Sequence, residues 1–255
     1  MGMAPIAMLL VPCVGMPNYL IITCEHGGNG IPAPYGDLFS SHRALLDSHR
    51  GYDAGALLVA TELATKLGAP LVASTVSRLL IDLNRSIGHP SLYSEATRTA
   101  PAEVRERIQA RYYRPYRTQV ENLLGRAIEG GNRAIHISSH SFTSELNGKV
   151  RAADIGLLYH PARRGEMDLC KLWRTSLRIH APELRVRRNY PYAGKGDGLT
   201  AYFRLRFPAE AYVGIELEIN QKHVLSADRD WSGLREVILI SLRDALASRL
   251  AGTSV

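Results

Sequence analysis

The sequence predicts an α/β sandwich, in which a largely parallel β-sheet has helices packed on its faces. First, short apolar runs alternate with longer segments whose apolar residues recur at helical spacing, a pattern typical of helix-covered parallel sheets. Second, the chain has 255 residues, of which 45% are hydrophobic, enough to bury one large core. Third, neither a repeat nor a low-complexity linker divides the chain, which favours a single domain.

Six apolar runs are predicted as strands and four segments as helices. Gly68 is a natural stop for the first long helix, and Pro115 is expected to kink or break the second. The predicted strands cover residues 19–24, 71–74, 79–82, 134–138, 154–159 and 212–220. The predicted helices cover residues 53–67, 102–129, 167–179 and 234–250.

Residues 1–17 are predicted to be a flexible N-terminal segment ahead of a single domain over residues 18–252. No lysine or arginine precedes Arg43, so the positive region of a signal peptide is missing. No run of 18 apolar residues predicts a membrane span. The chain has three cysteines without C-x-x-C spacing, which favours a reducing cytoplasm over a disulfide framework.

The formal net charge of +7 indicates an anionic partner. The basic residues are scattered, and the nearest approach to a cluster, Arg185 with Arg187 and Arg188, is too short for a basic tail. This spacing argues against nucleic acid as the partner. It favours a small anionic substrate instead, because basic clefts attract carboxylates.

Two histidines stand where predicted strands end. His26 precedes two glycines and follows the strand that ends at Cys24, while His140 follows the strand that ends at Ser138. In open α/β sheets, sites form at the carboxyl ends of strands. Each histidine is therefore either a metal ligand or a residue that only hydrogen-bonds its own turn. His136, inside its strand, is expected to be a core or supporting residue.

The predicted strand over residues 212–220 alternates strictly. Glu216 and Glu218 face one way, and apolar residues face the other. A strand covered by helices carries two carboxylates on one face only if they are paired or line a cavity. The strand is therefore either an exposed edge or one wall of a cleft, where a glutamate acts as general base or metal ligand.

Two further segments carry polar side chains suited to a substrate. Asp82 is followed by Asn84 and Arg85, and arginine can grip a carboxylate through two hydrogen bonds. The segment from Asn189 through Tyr192 to Gly198 is rich in tyrosine and glycine, and a loop of this kind can close over a substrate. A surface salt bridge and a plain surface loop are the respective alternatives.

Together, five motifs resemble the N-formylglutamate amidohydrolase family, over about residues 19 to 225. In the family's order they are His26-Gly-Gly-Asn-Gly-Ile-Pro, Asp82-Leu-Asn-Arg85, Ser139-His140-Ser141, Asn189-Tyr-Pro-Tyr192 and Gly214-Ile-Glu-Leu-Glu-Ile-Asn-Gln221. The resemblance implies a zinc-dependent hydrolase that cleaves N-formyl-L-glutamate or another N-acyl amino acid. It also implies a single-domain, three-layer sandwich with a mixed, mostly parallel central sheet, similar to that of zinc carboxypeptidases.

The resemblance also implies roles for individual residues. His26 and His140 match ligands of one zinc ion, or another divalent metal, per chain. Glu218 matches the general base, and Asn84 with Arg85 matches the pair that binds the substrate's free carboxylate; we count Arg85 as catalytic with Glu218.

Four more residues are expected to support these roles. Asn189 and Tyr192 are expected to contact the substrate from their loop. Glu216 and Asp82 are expected to orient a ligand or Arg85.

The third metal ligand departs from the pattern of the related peptidases, which use His-x-x-Glu. The fourth position here is Asn29, and a neutral amide is a poor zinc ligand beside a carboxylate. We therefore keep Asn29, Glu25, Asp53 and an additional water as alternatives.

Three other functions remain open at this point. The enzyme could act on a different N-acyl amino acid, a peptide or a small amide. The chain could be a non-catalytic binding protein on a decayed hydrolase fold, a possibility that Asn29 supports. The thiol of Cys24 could act as a nucleophile with His26, although no third group that would orient the pair is evident.

Overall fold

A six-stranded mixed sheet forms the centre of the protein, in a computed structural model that describes residues 16–226 and 230–251. The predicted flexible segment 1–17 falls mainly on residues 1–15, outside the described ranges. The strands of this sheet are β1 (Asn18–Cys24), β2 (Leu71–Ala73), β3 (Arg133–Phe142), β6 (Ile155–Leu158), β7 (Val186–Arg188) and β8 (Tyr212–Asn220). A two-stranded hairpin is made by β4 (Glu145–Leu146) and β5 (Lys149–Val150).

The strand order of the main sheet is β2-β1-β3-β8-β6-β7. Strands β2, β1, β3 and β8 are parallel, whereas β6 runs antiparallel to β8 and β7 is parallel to β6. The mixed, mostly parallel sheet is therefore confirmed. The carboxyl ends of β1, β3 and β8 meet at one edge, as the site prediction required.

Helices cover both faces of the sheet, which confirms the three-layer arrangement. They are α1 (Arg43–Leu46), α2 (Ala56–Leu67), α3 (Ala102–Ile108), α4 (Arg114–Glu129), α5 (Arg164–His180), α6 (Leu199–Arg204), α7 (Lys222–Leu225) and α8 (Trp231–Ala251). A 3-10 helix spans Ala33–Phe39, and a π-helical turn spans Gln109–Tyr113. Within the described ranges, no helix combines the length and apolar character needed to cross a membrane.

One face of the sheet is largely apolar. Ile137, Ile215 and Leu217 pack there against α2, α5 and α8, with Trp173 of α5 fully buried among them. This is the buried set that the alternation in β8 predicted. It holds the strands in register and leaves the other face free to carry polar groups.

The second face changes character along the strands. It begins apolar, with Tyr212 of β8 packed in a cluster that includes side chains of α4 and α6. Towards the carboxyl ends it becomes polar, where Ser138 lies beside Glu216 and His140 beside Glu218 in adjacent strands. The sheet therefore presents a row of buried polar side chains at one end of this face.

Next to this row, His136 is a supporting core residue, in agreement with its sequence-based interpretation. Its ring is fully buried. Nε2 lies 2.9 Å from Thr23 Oγ1, and Nδ1 lies 2.8 Å from the Tyr212 hydroxyl.

The strand predicted over residues 79–82 is wrong, because this segment forms a turn that crosses the carboxyl edge of the sheet. Its apolar side chains are buried in the second-face cluster. Its backbone is satisfied without a neighbouring strand: the Leu79 carbonyl accepts from Ser94 Oγ at 2.6 Å, and the Asp82 amide donates to the Leu92 carbonyl at 2.9 Å. An apolar segment can therefore be buried with its backbone groups hydrogen-bonded while it forms a loop rather than a strand.

Strand β3 and the helical segment around Pro115 also differ from the prediction. Strand β3 continues to Phe142, so His140 lies inside the strand rather than after it. Residues 102–129 stay helical past Pro115, which occupies the first turn of α4, where no backbone N–H is required. The π-helical turn just before that proline absorbs the change.

Candidate active site

Three buried side chains converge at the carboxyl edge: His26, Asp53 and His140. Their candidate ligand atoms all lie within 4.8 Å of one another. Asp53 Oδ2 is 3.3 Å from His26 Nδ1 and 2.8 Å from His140 Nδ1. The Asp53 amide donates to the His26 carbonyl at 2.9 Å, so the turn before α2 is tied directly to the end of β1.

The second nitrogen of each ring faces a different carboxylate. His26 Nε2 lies 2.8 Å from Asp82 Oδ1, and His140 Nε2 lies 3.0 Å from Glu25 Oε2. Metal-binding histidines are commonly oriented by a carboxylate on the nitrogen opposite the metal. Two imidazole nitrogens and a carboxylate oxygen also suit a divalent cation such as zinc. The donor set therefore fits a metal held by the two Nδ1 atoms and Asp53.

The carboxylates around the rings are held ionised. Burial alone would raise the pKa of Asp53, but the charges of both histidines and their hydrogen bonds hold it below its usual range. For Glu25, burial is likewise outweighed by the hydrogen bond and charge of His140 and by the Ser138 hydroxyl, so its pKa is also lowered. Negative charge accumulates around the rings, and a cation would balance it.

The same charge acts on His140. Burial would lower its pKa, but hydrogen bonds to Asp53 and Glu25 raise it well above the usual value. Metal binding to histidine displaces a proton. A proton on His140 thus occupies the place that a bound cation would take.

Arg78 is a site residue that the sequence did not reveal. Its guanidinium lies 2.7 Å from Asp82 Oδ2 and 3.4 Å from Asp53 Oδ1. It bridges the carboxylate that holds His26 and the carboxylate shared by both rings. The only local signal was the spacing of four residues to Asp82, which is common in salt bridges without function.

Glu218 stands next to His140 across the β3–β8 pairing. Only 5% of its surface is exposed, and its Oε2 has no hydrogen-bond partner among the described residues. Burial and the nearby negative charges of Asp53 and Glu216 outweigh the positive charge of His140 and raise the pKa of Glu218 to about 8. A carboxyl group with a free oxygen and a raised pKa is suited to exchange protons near neutral pH.

These groups share one cavity of about 350 Å³, which we call the substrate cavity. It brings together most of the side chains that the motifs singled out. It is lined by His26, Asp53, Arg78, Asn84, Arg85, His140, Ser141, Tyr192, Ala193, Gly196, Asp197, Glu216 and Glu218.

Asn84 and Arg85 form one wall of the substrate cavity. Arg85 Nη1 donates to the Asp197 carbonyl at 2.7 Å, and its Nε has no partner among the described residues. Asn84 Oδ1 accepts from the Leu199 amide at 2.6 Å. The Arg85 carbonyl is held by the Tyr113 hydroxyl at 2.7 Å. The wall is thus anchored on its outer side, with guanidinium donors left for a ligand.

Of the two residues expected to orient a ligand or Arg85, Asp82 contacts a histidine and Glu216 contacts neither a histidine nor Arg85 within the described ranges. Asp82 holds His26 and Arg78, as described above. Glu216 lines the substrate cavity, where its Oε1 accepts from the Thr200 hydroxyl at 2.6 Å. Thr200 carried no signal in the sequence.

Of the two loop residues, Tyr192 lines the substrate cavity and Asn189 does not. Tyr192 is half exposed, and its hydroxyl lies 3.3 Å from Arg151 Nη1. Asn189 has a φ of 51°, and its Oδ1 accepts from the amides of Tyr159 and Gly194. Asn189 therefore hydrogen-bonds within its own loop, and of these two residues only Tyr192 reaches the cavity.

Asn29 lies outside the substrate cavity. Its side-chain amide donates to Asp47 at 2.9 Å, whereas Asp53 is the carboxylate that lies beside the Nδ1 atoms of both histidines. Glu25 lies at Nε2 of the His140 ring, on the side opposite Asp53. Cys24 belongs to the apolar core on the opposite face, and burial raises the pKa of its thiol, which does not suit a nucleophile.

Solved structures with a similar fold support this architecture. A gene product of Agrobacterium tumefaciens shares 26% identity with the chain at a TM-score of 0.77, over 92% of each chain. An N-formylglutamate amidohydrolase from Ralstonia eutropha JMP134 shares 22% identity at a TM-score of 0.61, over 94% of this chain and 93% of its own. A search among curated proteins gave no significant match. The family model described as N-formylglutamate amidohydrolase matches residues 19–225, and the chain therefore belongs to the N-formylglutamate amidohydrolase family.

Proposed function

We propose that the protein hydrolyses N-formyl-L-glutamate to formate and glutamate with the help of a divalent metal ion. Membership of an amidohydrolase family supports hydrolysis of a carbon–nitrogen bond. The observation that carries the proposal is the placement of Glu218, with its free Oε2, in one cavity with the His26–Asp53–His140 triad and Arg85.

His26, Asp53 and His140 are the proposed ligands, and zinc is the proposed metal because nitrogen and carboxylate donors suit it. When bound, such an ion polarises the substrate's carbonyl group and makes a water molecule more acidic. Asp82 and Glu25 keep both Nδ1 atoms aimed at Asp53 through the opposite nitrogens. This pre-set orientation reduces the reorganisation that metal binding needs.

Glu218 is the proposed general base. Its Oε2 takes a proton from the attacking water and then delivers it to the nitrogen of the leaving amine. Burial raises the proton affinity of this carboxyl, which helps it take the proton from the water. The buried position also keeps bulk water from competing for that proton.

Arg85 and Asn84 are proposed to bind the carboxylate of the amino acid. Arg85 is a fixed cation whose planar group can form paired hydrogen bonds with a carboxylate. Removing it with Arg85→Ala should raise KM for N-formyl-L-glutamate by about 10- to 100-fold, since a charged hydrogen bond contributes about 1.5–3 kcal/mol. An unchanged KM in initial-rate measurements would place the carboxylate elsewhere.

The central test is release of formate from N-formyl-L-glutamate by protein purified without chelator, with N-formyl-L-glutamine and N-acetyl-L-glutamate assayed beside it. We expect fastest release from N-formyl-L-glutamate, close to one metal ion per chain by elemental analysis, loss of activity with chelator and recovery with Zn²⁺. Full activity in metal-free protein would contradict the metal assignment. Cleavage of another N-acyl amino acid alone would contradict the substrate assignment.

A further inference from the structure

A second cavity of about 360 Å³, which we call the outer cavity, adjoins the substrate cavity. The two share two lining residues, Arg78 and Tyr192. The rest of the outer cavity is formed by His49 and Arg50, by Leu79 and Asp82, and by the segment from Pro90 to Arg98. It is as large as the substrate cavity, and the proposed function gives it no role.

The titratable histidine His49 lines the outer cavity, together with the charged side chains of Arg50, Arg78, Asp82, Glu95 and Arg98. Both carboxylates are already paired: Glu95 lies 2.8 Å from Arg50, and Asp82 lies 2.7 Å from Arg78. Arg98 makes no ion pair with any residue in the described ranges. Its guanidinium is therefore the cation of this cavity that remains available to an incoming anion.

The neighbourhood of His49 shows the same excess of positive charge. Partial burial and the positive charges of Arg50, Arg151 and Arg78 outweigh the negative charge of Asp53 and lower the pKa of this histidine. A carboxylate entering the outer cavity would meet these cations in a recess with few free negative groups. The local field favours an anion there.

The position of the outer cavity identifies which part of a substrate can reach it. Asn84 and Arg85, which bind the amino-acid carboxylate in the proposed function, line only the substrate cavity. The outer cavity meets the substrate cavity at Arg78 and Tyr192, and Arg78 contacts Asp53, so the junction lies beside the metal-binding side chains rather than at the Arg85 wall. The arm of the substrate that continues into it is then the acyl arm, on the other side of the scissile bond.

We propose that the outer cavity is a subsite for a carboxylate carried by the acyl arm of the substrate, with Arg98 as its specificity-determining cation. The inference rests on the proposed function and extends it from formyl groups to N-acyl amino acids whose acyl group is itself acidic. The reaction is the same amide hydrolysis: water adds across the carbon–nitrogen bond, and a dicarboxylic acid and an amino acid are released.

The test compares two substrates that differ in one group: N-glutaryl-L-glutamate, and its counterpart with a carboxamide in place of the terminal carboxylate of the acyl arm. Release of glutamate gives kcat/KM for each. We expect the wild-type protein to prefer the carboxylate about two- to fivefold, the size of effect typical of an exposed ion pair. Arg98→Ala should lose most of that preference, and Arg98→Glu should reverse it because the charge reversal adds repulsion. Because both substrates are measured on one preparation, any loss of folded protein cancels from the ratio.

The matched control is Arg107→Ala, which removes an exposed arginine of α3 that lines neither cavity; it should keep the wild-type ratio. A wild-type protein that cleaves N-formyl-L-glutamate but shows no preference for the acidic acyl arm would overturn this inference alone. An Arg98→Ala variant that keeps the full preference would also overturn it. The same holds if Arg98→Ala instead changes the ratio of kcat/KM for N-formyl-L-glutamate to kcat/KM for N-formyl-L-glutamine. A wild-type protein that releases no formate from N-formyl-L-glutamate would count against the proposed function itself.

Discussion

Replacing Glu218 with glutamine should stabilise the metal-free protein at alkaline pH while it removes most of the activity. The folded chain keeps a proton on this carboxyl up to about pH 8, whereas the unfolded chain releases it near the ordinary pKa of 4.5. Between these values the folded state binds more protons. Rising pH therefore shifts the equilibrium towards the unfolded chain.

The size of the effect follows from that difference in pKa. Each pKa unit corresponds to about 1.4 kcal/mol, so the penalty approaches about 5 kcal/mol above pH 8. Glutamine has nearly the same shape and no charge, and it removes the penalty. For a chain of this size, that corresponds to an increase of roughly 10 °C in the unfolding midpoint at pH 9, and to little change at pH 4.5 and below.

The assay is thermal unfolding of chelator-treated wild-type and Glu218→Gln protein at pH 4.5 and pH 9. Glu216→Gln is the matched control on the same strand, because the Glu216 carboxylate already accepts a hydrogen bond from Thr200; it should show no comparable gain at pH 9. With metal restored, kcat of Glu218→Gln should fall about 10²- to 10⁴-fold. Equal midpoint shifts at both pH values, or an unimpaired kcat, would refute the role given to this carboxyl.

Two pairs of variants give the remaining predictions. Asp53→Asn should weaken zinc binding at least ~100-fold, because it replaces an anionic ligand with a neutral one, whereas Asn29→Ala should keep one metal per chain. Calorimetric titration with Zn²⁺ measures the affinity of both variants. Weak binding by Asn29→Ala with normal binding by Asp53→Asn would return the third ligand to position 29. Gly156→Ala should destabilise the protein by about 1–3 kcal/mol, because a methyl group there would clash with the Tyr190 carbonyl oxygen. Gly125→Ala, in open space within α4, should instead stabilise it by up to about 1 kcal/mol, so denaturant unfolding should give opposite signs.

Some parts of the structure were predictable because one local cause decides them. In β8, the alternation of Ile215, Leu217 and Ile219 with Glu216 and Glu218 follows from a strand that packs one face on helices. The predicted bounds of this strand agree with Tyr212–Asn220. That both glutamates line a cavity rather than an exposed edge follows from the position of β8 between β3 and β6, which the local pattern does not contain.

The loop over residues 79–82 shows the opposite case. Leu79, Leu80 and Ile81 are as apolar as a buried strand, and all three are buried. Whether such a run pairs with a neighbour depends on where the rest of the chain leaves free backbone groups. Here Ser94 and Leu92 supply the partners, so the same sequence forms a turn.

The sequence by itself determined the α/β class, the family and the positions of His26, His140, Asn84, Arg85 and Glu218. These depend on short-range spacing and on motifs that occur along the chain in the family's order. Only the tertiary structure decided which groups surround them. Asp53 reaches the two histidines, and Arg78 reaches Asp53 and Asp82, because β1, the turn before α2 and the loop after β2 meet at one edge of the sheet. Contacts between segments so far apart in the chain depend on packing, and no local pattern records them.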